Sequence, residues 1–549
     1  MGRRTRSGDA APAPRRGFLA RHGAWLAVLA ALALVAVVRG RLLDLPLERD
    51  EGEYAYAGQL IRQGVPPYVQ AYNMKFPGTY YAYALAMTVF GETPRGIRLG
   101  LLVVNAGSVL LLFALGRRLL GALGGAVAAV AFALLTLDLW SMGLFAHATH
   151  FVLLPALAGL LLLAGGRGAA RLLAAGALLG LAVLMKQHAF AFPLLGALLV
   201  LAEARERGRA GTVRDLALLA AGGVAPFLVL LGVLAAHGAL GRFWFWAFDY
   251  ALAYATGVPA DRFLAHLTGS FRDAARGTAW LWAAGAAGLV ALGAGRWPAR
   301  TRWWLAGLAA ASAVAAGLGG IFRPHYFILL MPAAALLAGV AVTAAARLLE
   351  RALPAGAARA AAAALFAALC AWVLADPSGI LRAPGPRAMM LARYGTCPFA
   401  EAREVGRVLG ERSRPGDRIA VLGSEPEIYF HARRRSATGY IYMYPLTEGL
   451  RYAARMQAEM IAEIEAARPA YVVFVQEVTT WNLSPASDMT VLHWGARYVA
   501  AHYRRIGVVD MFPDGSRTVW GDAAESYLPR SPHVIHVYQR RPDAPGAGG

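Results

Sequence analysis

Long apolar runs recur along the first two-thirds of this chain, and they constrain it more than any single motif does. Crossing a bilayer as a helix takes roughly 17–25 predominantly apolar residues. Runs of that kind cover 22–38, 96–116, 121–137, 143–164, 170–185, 189–202, 215–236, 277–295, 303–320, 325–346 and 358–375. The pair 170–185 and 189–202 is short, and reads either as a hairpin or as one helix kinked near Pro193. Loop charge decides between them. A hairpin places Arg205, Arg207, Arg209 and Arg214, then Arg296, Arg300 and Arg302, then Arg347, Arg351 and Arg359 on the cytoplasmic side. A single helix would put all of them outside, against the positive-inside tendency. About eleven transmembrane helices are therefore expected.

Composition agrees: of 549 residues, 58% are hydrophobic and 16% charged, against about a quarter charged in soluble domains. That excludes a disordered chain, a fibrous one and a basic globular nucleic-acid binder, so no nucleic-acid partner is expected. The net charge of +21 is accounted for by loops that hold helices in orientation. Nearly all of it is arginine; the only lysines are Lys75 and Lys186. Cys370 and Cys397 offer neither a disulfide framework nor metal-ligand spacing, and read as structural.

An Arg-rich tail (Arg3, Arg4, Arg6, Arg15, Arg16) precedes the first run, and no clean cleavage site follows it. The first helix is thus read as uncleaved, with residues 1–21 a cytoplasmic tail. Parity then sends 39–95, Asp138–His150, 237–276, Gly320–His325 and everything after Asp376 to the outer face. Residues 22–375 form the membrane domain. Residues 376–549 are polar enough for a soluble α/β domain: a Pro415-Gly416-Asp417 turn, a strand over Arg418–Gly423, a helix over Arg455–Ala467 and a strand over Tyr471–Val475. The tail beyond Pro542 reads as a frayed end. The chain is a multi-pass protein of the cytoplasmic membrane on this reading, surrounded by its lipids.

Chemistry concentrates just after the first helix. Glu48-Arg49-Asp50-Glu51-Gly52-Glu53 sets four carboxylates in six positions, followed by Tyr54, Gly64-Val65-Pro66-Pro67-Tyr68 and Asn73-Met74-Lys75-Phe76-Pro77-Gly78-Thr79-Tyr80-Tyr81. A charge run is often only a solvated face. Carboxylates at the hydrocarbon boundary are costly unless paired, however, and a lysine follows within the same loop. Such a pair suits a reaction on a lipid-linked phosphate. The carboxylate accepts a proton from an incoming hydroxyl, and the ammonium neutralises the phosphate that leaves.

The pattern Asp50-Glu51-x-x-Tyr54, Gly64-x-Pro-Pro-Tyr68, Lys75-x-Pro77, Phe90-Gly91 and Arg98 resembles the first outer loop of the GT-C membrane glycosyltransferases. Within that class it is similar to the protein O-mannosyltransferases of family 39 and the bacterial lipid A aminoarabinose transferases. The resemblance runs to about residue 346. Pro415–Ile419 and Glu425–Tyr429 are similar to the outer domain of many bacterial members. It implies inverting transfer of a sugar from a polyprenyl-phosphate donor to a lipid, glycan or protein hydroxyl at the outer face. It also implies Asp50 as general base, Glu51 as its catalytic neighbour and Lys75 as the phosphate-facing lysine. Glu53 stands where the aminoarabinose enzymes carry arginine, so recognition is expected to differ there. Glu53, Tyr54, Tyr80 and Tyr81 are expected to bind substrate.

Lys186, at the hairpin tip, is expected to meet the donor phosphate, with a snorkelling role as the alternative. Arg323 is expected to contact phosphate, since guanidinium matches its geometry, and Tyr326 in the same Arg-x-x-Tyr segment to bind substrate. His147, His150 and His325 beside the acidic loop leave a divalent-metal site as an alternative, but no cofactor is expected. Phe243-Trp244-Phe245-Trp246 reads as an interfacial belt. Two other functions compete: a lipid or glycolipid transporter or flippase, which would show buried intrahelical charges in two repeated halves, and a non-catalytic envelope assembly protein.

Overall fold

A computed structural model describes residues 18–257, 259–375 and 385–542. Most of the basic tail, the opening of the C-terminal domain at 376–384 and the end beyond Pro542 lie outside the described residues. Every apolar run named above coincides with a helix. The chain runs through α1 (Phe18–Arg41), α2 (Arg49–Arg62), α3 (Gly78–Phe90), α4 (Pro94–Leu135), α5 (Ala148–Ala164), α6 (Ala169–Met185), α7 (Ala191–Ala202) and α8 (Ala204–Ala236). Helices Ala279–Ala294, Ala299–Gly317, Met331–Leu349 and Ala355–Ala375 complete the bundle.

Among the described residues, five helical stretches are long and apolar enough to cross a membrane on their own. A sixth appears if Phe263–Ala275 and Ala279–Ala294, bent by 116°, count as one. Three further apolar helices, Ala148–Ala164, Ala169–Met185 and Gln187–Ala202, are shorter. Within α4 the backbone leaves the helix at Gly121 (φ 82°), a conformation that favours glycine. A Cβ added to Gly116 would sit 2.9 Å from the Cα of Gly125, so the two halves of α4 double back on each other. That yields the two separate runs expected at 96–116 and 121–137. The 170–202 ambiguity also resolves as a hairpin. Lys186 is extended (φ −162°, ψ 133°), and Gly196 of α7 returns to within 3.0 Å, measured from an added Cβ, of the Leu179 side chain on α6.

The C-terminal part is built on one six-stranded sheet in the order β2-β1-β3-β6-β4-β5. Its strands are β1 (Arg418–Leu422), β2 (Arg435–Ser436), β3 (Tyr471–Gln476), β4 (Tyr503–Phe512), β5 (Gly515–Trp520) and β6 (Val534–Arg540). β1 pairs parallel with β2 and β3, while β3–β6, β6–β4 and β4–β5 are antiparallel. β1 reads Arg-Ile-Ala-Val-Leu and is buried after its first residue, the continuous apolar run expected of a strand covered on both faces.

The structure corrects one element. The acidic run is the first turn of α2, not a solvated loop. Glu48 caps the helix by accepting the Glu51 amide at 2.9 Å, and Glu51 returns the bond to the Glu48 amide at 3.2 Å. Carboxylates there also meet the positive end of the helix dipole. Apart from Arg49, Asp50 and the last two residues, all of α2 is buried. It lies between the bundle and the helix Glu427–Ala432 of the C-terminal part: Tyr54 packs with Tyr83 of α3 at 5.4 Å, Tyr56 with Tyr429 at 5.1 Å.

Candidate active site

Helical geometry divides the four carboxylates between different jobs. Positions three apart share a face of α2, so Asp50 and Glu53 point together while Glu51 is turned away. Lys75, on the loop before α3, answers the first pair: its Nζ donates to Asp50 Oδ1 at 2.9 Å and to Glu53 Oε2 at 2.5 Å. The ammonium also lies 4.7 Å from the centre of the Tyr54 ring. The Tyr80 hydroxyl donates to Glu53 Oε1 at 2.5 Å. Burial opposes ionisation of Asp50, yet the adjacent Lys75 outweighs it and holds the carboxyl well below its ordinary range. For Glu53, burial wins over Lys75 and the pKa is raised. Lys75 is pushed well above its ordinary value by Asp50 and Glu53, against burial. Asp50 is thus the ionised, partly open carboxylate of the group, with 24% of its side chain exposed against 1% for Glu53.

Glu51 does not stand beside Asp50 as a catalytic neighbour. It is fully buried and spent on Arg98 of α4, which grips both its oxygens, and on the Ala146 amide. Arg98 continues to the Pro46 carbonyl at 3.2 Å. The pair ties the start of α2 to α4 and to the turn before α5. Glu53, not Glu51, is the second carboxylate that joins Asp50 on Lys75.

Two histidines face Asp50 from the other side. His147 Nδ1 is 3.8 Å from Asp50 Oδ2 and 3.8 Å from Glu48 Oε1, and its ring stacks on His325 at 4.1 Å. Among the described residues, both ring nitrogens of His147 are buried without a hydrogen-bond partner. Donor atoms of Asp50, His147 and His325 lie within 4.8 Å of one another, a grouping with the ligand types for a metal ion. His150 is turned away, to the Gly143 carbonyl at 2.9 Å.

Lys186 stands 4.2 Å over the Tyr326 ring. Burial lowers it to about 7, outweighing the pull of Asp50. Arg323 is exposed and lies against the Tyr254 hydroxyl. Tyr81 is not part of this polar group. It lines an apolar groove of about 860 Å³ with Leu85, Val103, Leu181, Pro226 and Val229. Pro77, Gly78 and Met185, close along the chain to Lys75 and Lys186, line the same groove, which runs between α3, α4, α5, α6 and α8.

Residues from the C-terminal part close the site, and sequence reading missed them. The Tyr442 hydroxyl donates to Asp50 Oδ1 at 2.9 Å. Arg49 donates to the Ser424 carbonyl at 2.7 Å, the Tyr444 hydroxyl at 2.6 Å and Glu425 Oε1 at 3.0 Å. The one available signal was the alternation Tyr440-Ile-Tyr442-Met-Tyr444, which puts aromatic hydroxyls at every second position. Phe243–Trp246 is less a lipid belt than expected. Phe243 and Trp246 are buried, Trp246 stacking with Tyr72 at 6.1 Å, while Trp244 is exposed.

This arrangement can be set beside known proteins. Residues 74–233 match the family model for dolichyl-phosphate-mannose-protein mannosyltransferases. No curated protein matches the sequence. Among solved structures, the fold is similar to ArnT from Cupriavidus metallidurans bound to undecaprenyl phosphate, with a TM-score of 0.58, 18% identity, and coverage of 96% of this chain and 100% of that one. It is also similar to the Archaeoglobus fulgidus oligosaccharyltransferase tethered with an acceptor peptide, with a TM-score of 0.53, 15% identity, and coverage of 93% and 75%. The same organism's AglB, in complex with an inhibitory peptide and a dolichol-phosphate, gives a TM-score of 0.51 at 14% identity, covering 94% and 76%. The chain therefore has the fold of the GT-C membrane glycosyltransferases along nearly its whole length, and matches the mannosyltransferase sequence model over residues 74–233.

Proposed function

We propose that this protein is an inverting glycosyltransferase that moves a sugar from a polyprenyl-phosphate donor to a hydroxyl acceptor at the outer face of the cytoplasmic membrane. The observation that carries this reading is the ionised, partly open Asp50 held by Lys75, with Pro77 and Met185, close along the chain to the two lysines, lining an apolar groove. The groove suits a prenyl chain. Its lining reaches Pro77 and Met185, close along the chain to Lys75 and Lys186, so a phosphate at that end would gain two ammonium groups, with Arg323 the third cation. The acceptor oxygen attacks the anomeric carbon opposite the phosphate and its proton passes to Asp50. The carbon–oxygen bond to phosphate breaks, its electron pair leaving on polyprenyl phosphate. A phosphate already leaves well, so no separate general acid is needed. Donor binding gives Lys75 a further anion to serve beside Asp50 and Glu53, which loosens its hold on Asp50 and makes that carboxylate a stronger base.

The ArnT and AglB structures, with their undecaprenyl phosphate and dolichol-phosphate, support a lipid-phosphate donor. Loop arginines support an N-terminus in the cytoplasm and the C-terminal domain outside. The reaction needs no metal on this reading, because the lysine ammonium groups supply the positive charge that the leaving phosphate needs. The test is reconstitution in lipid nanodiscs with a panel of polyprenyl-phosphate sugars, following release of polyprenyl phosphate with and without chelator. Release from one donor, unchanged by chelator, is expected. Chelator sensitivity would move Asp50, His147 and His325 into a metal site. No release from any donor, even with membrane extract as acceptor, would sink the assignment.

A further inference from the structure

We propose that Tyr442, contributed by the C-terminal domain, is a positioning residue for Asp50. With Lys75 it saturates Oδ1, so that Oδ2 is the oxygen presented to the acceptor hydroxyl. This rests on Asp50 being the base.

Both donors converge on one carboxylate oxygen: Tyr442 Oη and Lys75 Nζ each lie 2.9 Å from Asp50 Oδ1. Among the described residues no hydrogen bond reaches Oδ2, from which His147 Nδ1 lies 3.8 Å away. A carboxylate with a single partner turns about its Cβ–Cγ bond and exchanges its oxygens. Two donors from opposite parts of the molecule fix its plane. The lysine alone cannot do this, because it is shared with Glu53 and is drawn toward phosphate when donor binds.

Tyr442 is itself held stiffly. The next amide, of Met443, donates to Ser424 Oγ at 3.0 Å. Two residues on, Tyr444 takes Arg49 and donates to the Thr479 carbonyl at 2.6 Å. Tyr440, two residues before, is not among these anchors: its hydroxyl donates to Glu459 at 2.8 Å. The Tyr442 ring lies 5.5 Å from Lys75 Nζ, so it also walls the ammonium. A reacting group must be held within roughly 0.5 Å of its productive position, and the tyrosine does that from the hydrogen-bonded segment between β2 and the helix Tyr444–Thr447. The C-terminal domain is then part of the catalytic constellation, and its docking decides whether the base is aimed.

The test compares wild type, Tyr442→Phe, and Tyr440→Phe as a control whose hydroxyl serves Glu459. Loss of one hydrogen bond to a charged group should lower kcat of Tyr442→Phe by about tenfold to a hundredfold. KM for donor, binding of polyprenyl phosphate and the melting temperature should stay unchanged, and Tyr440→Phe should keep its kcat. An infrared carboxylate band assigned to Asp50 by its loss in Asp50→Asn should shift in Tyr442→Phe. Unchanged kcat, an unshifted band, or a loss matched by lower melting temperature and weaker donor binding would overturn the proposal. Failure of wild type to turn over any donor would fault the glycosyltransferase reading, while the infrared shift would still decide the Tyr442–Asp50 contact.

Discussion

At the residue scale, the acidic run shows how one turn of helix sorts chemically alike groups. Glu48 caps the helix, Asp50 faces the cleft, Glu51 anchors the bundle and Glu53 completes the lysine site. Asp50 and Lys75 were legible because they lie in one short stretch and match a motif. The division between Glu51 and Glu53 was not, because it depends on where α2 starts, and Glu is an uncommon cap. Removing one partner of the buried Glu51–Arg98 pair leaves the other charge unpaired, which costs about 3–5 kcal/mol. Arg98→Ala should therefore lower the melting temperature sharply, as scanning calorimetry in detergent would show. Lys186 gives a different expectation. Held down to about 7, it is charged below that pH and largely neutral above it. A phosphodiester donor has no ionisation of its own in this window. Donor affinity should therefore fall from pH 6 to pH 9 in wild type and be flatter in Lys186→Ala, measured by isothermal titration. A flat wild-type profile would remove Lys186 from the phosphate site.

At the element scale, α2 is pressed between the bundle and the helix Glu427–Ala432, which it approaches closely at Gly52. A Cβ there would lie 2.7 Å from the Glu427 amide nitrogen. Alanine normally gains about 1 kcal/mol over glycine inside a helix. Here that gain should be reversed, because the obstacle is backbone and cannot swing aside. Gly52→Ala should lower turnover and melting temperature together, by shifting Asp50 relative to Tyr442. A more stable and fully active variant would show that the close approach gives way cheaply. The strands over 418–422 and 471–476 were readable from their apolar runs and flanking turns, and so was the helix at Ala453–Ala467. The contact of Tyr442 with Asp50 was not, since 392 residues separate them and nothing local marks tyrosine as a partner.

At the scale of the whole molecule, the boundary near residue 376 divides the chain by composition more than by packing. One apolar cluster joins Tyr54, Tyr83 and Phe151 from the membrane half to Val405, Ile428 and Val537 from the C-terminal half. Another joins Tyr68, Phe243 and Trp246 to Tyr440, Met456 and Trp494. Cores shared in this way should make the halves unfold together, and tryptophan fluorescence and circular dichroism should report one coincident transition. Two separated transitions would mean that the sheet domain stands alone. The measurement that tests the account most directly is polyprenyl-phosphate release per folded molecule in Asp50→Asn beside Glu51→Gln. General-base loss costs about a hundredfold to ten-thousandfold in rate. Asp50→Asn should fall that far with its melting temperature unchanged. Glu51→Gln should melt lower yet keep most of its turnover while folded. Retained turnover in Asp50→Asn, or loss confined to Glu51→Gln, would contradict the assignment of the base.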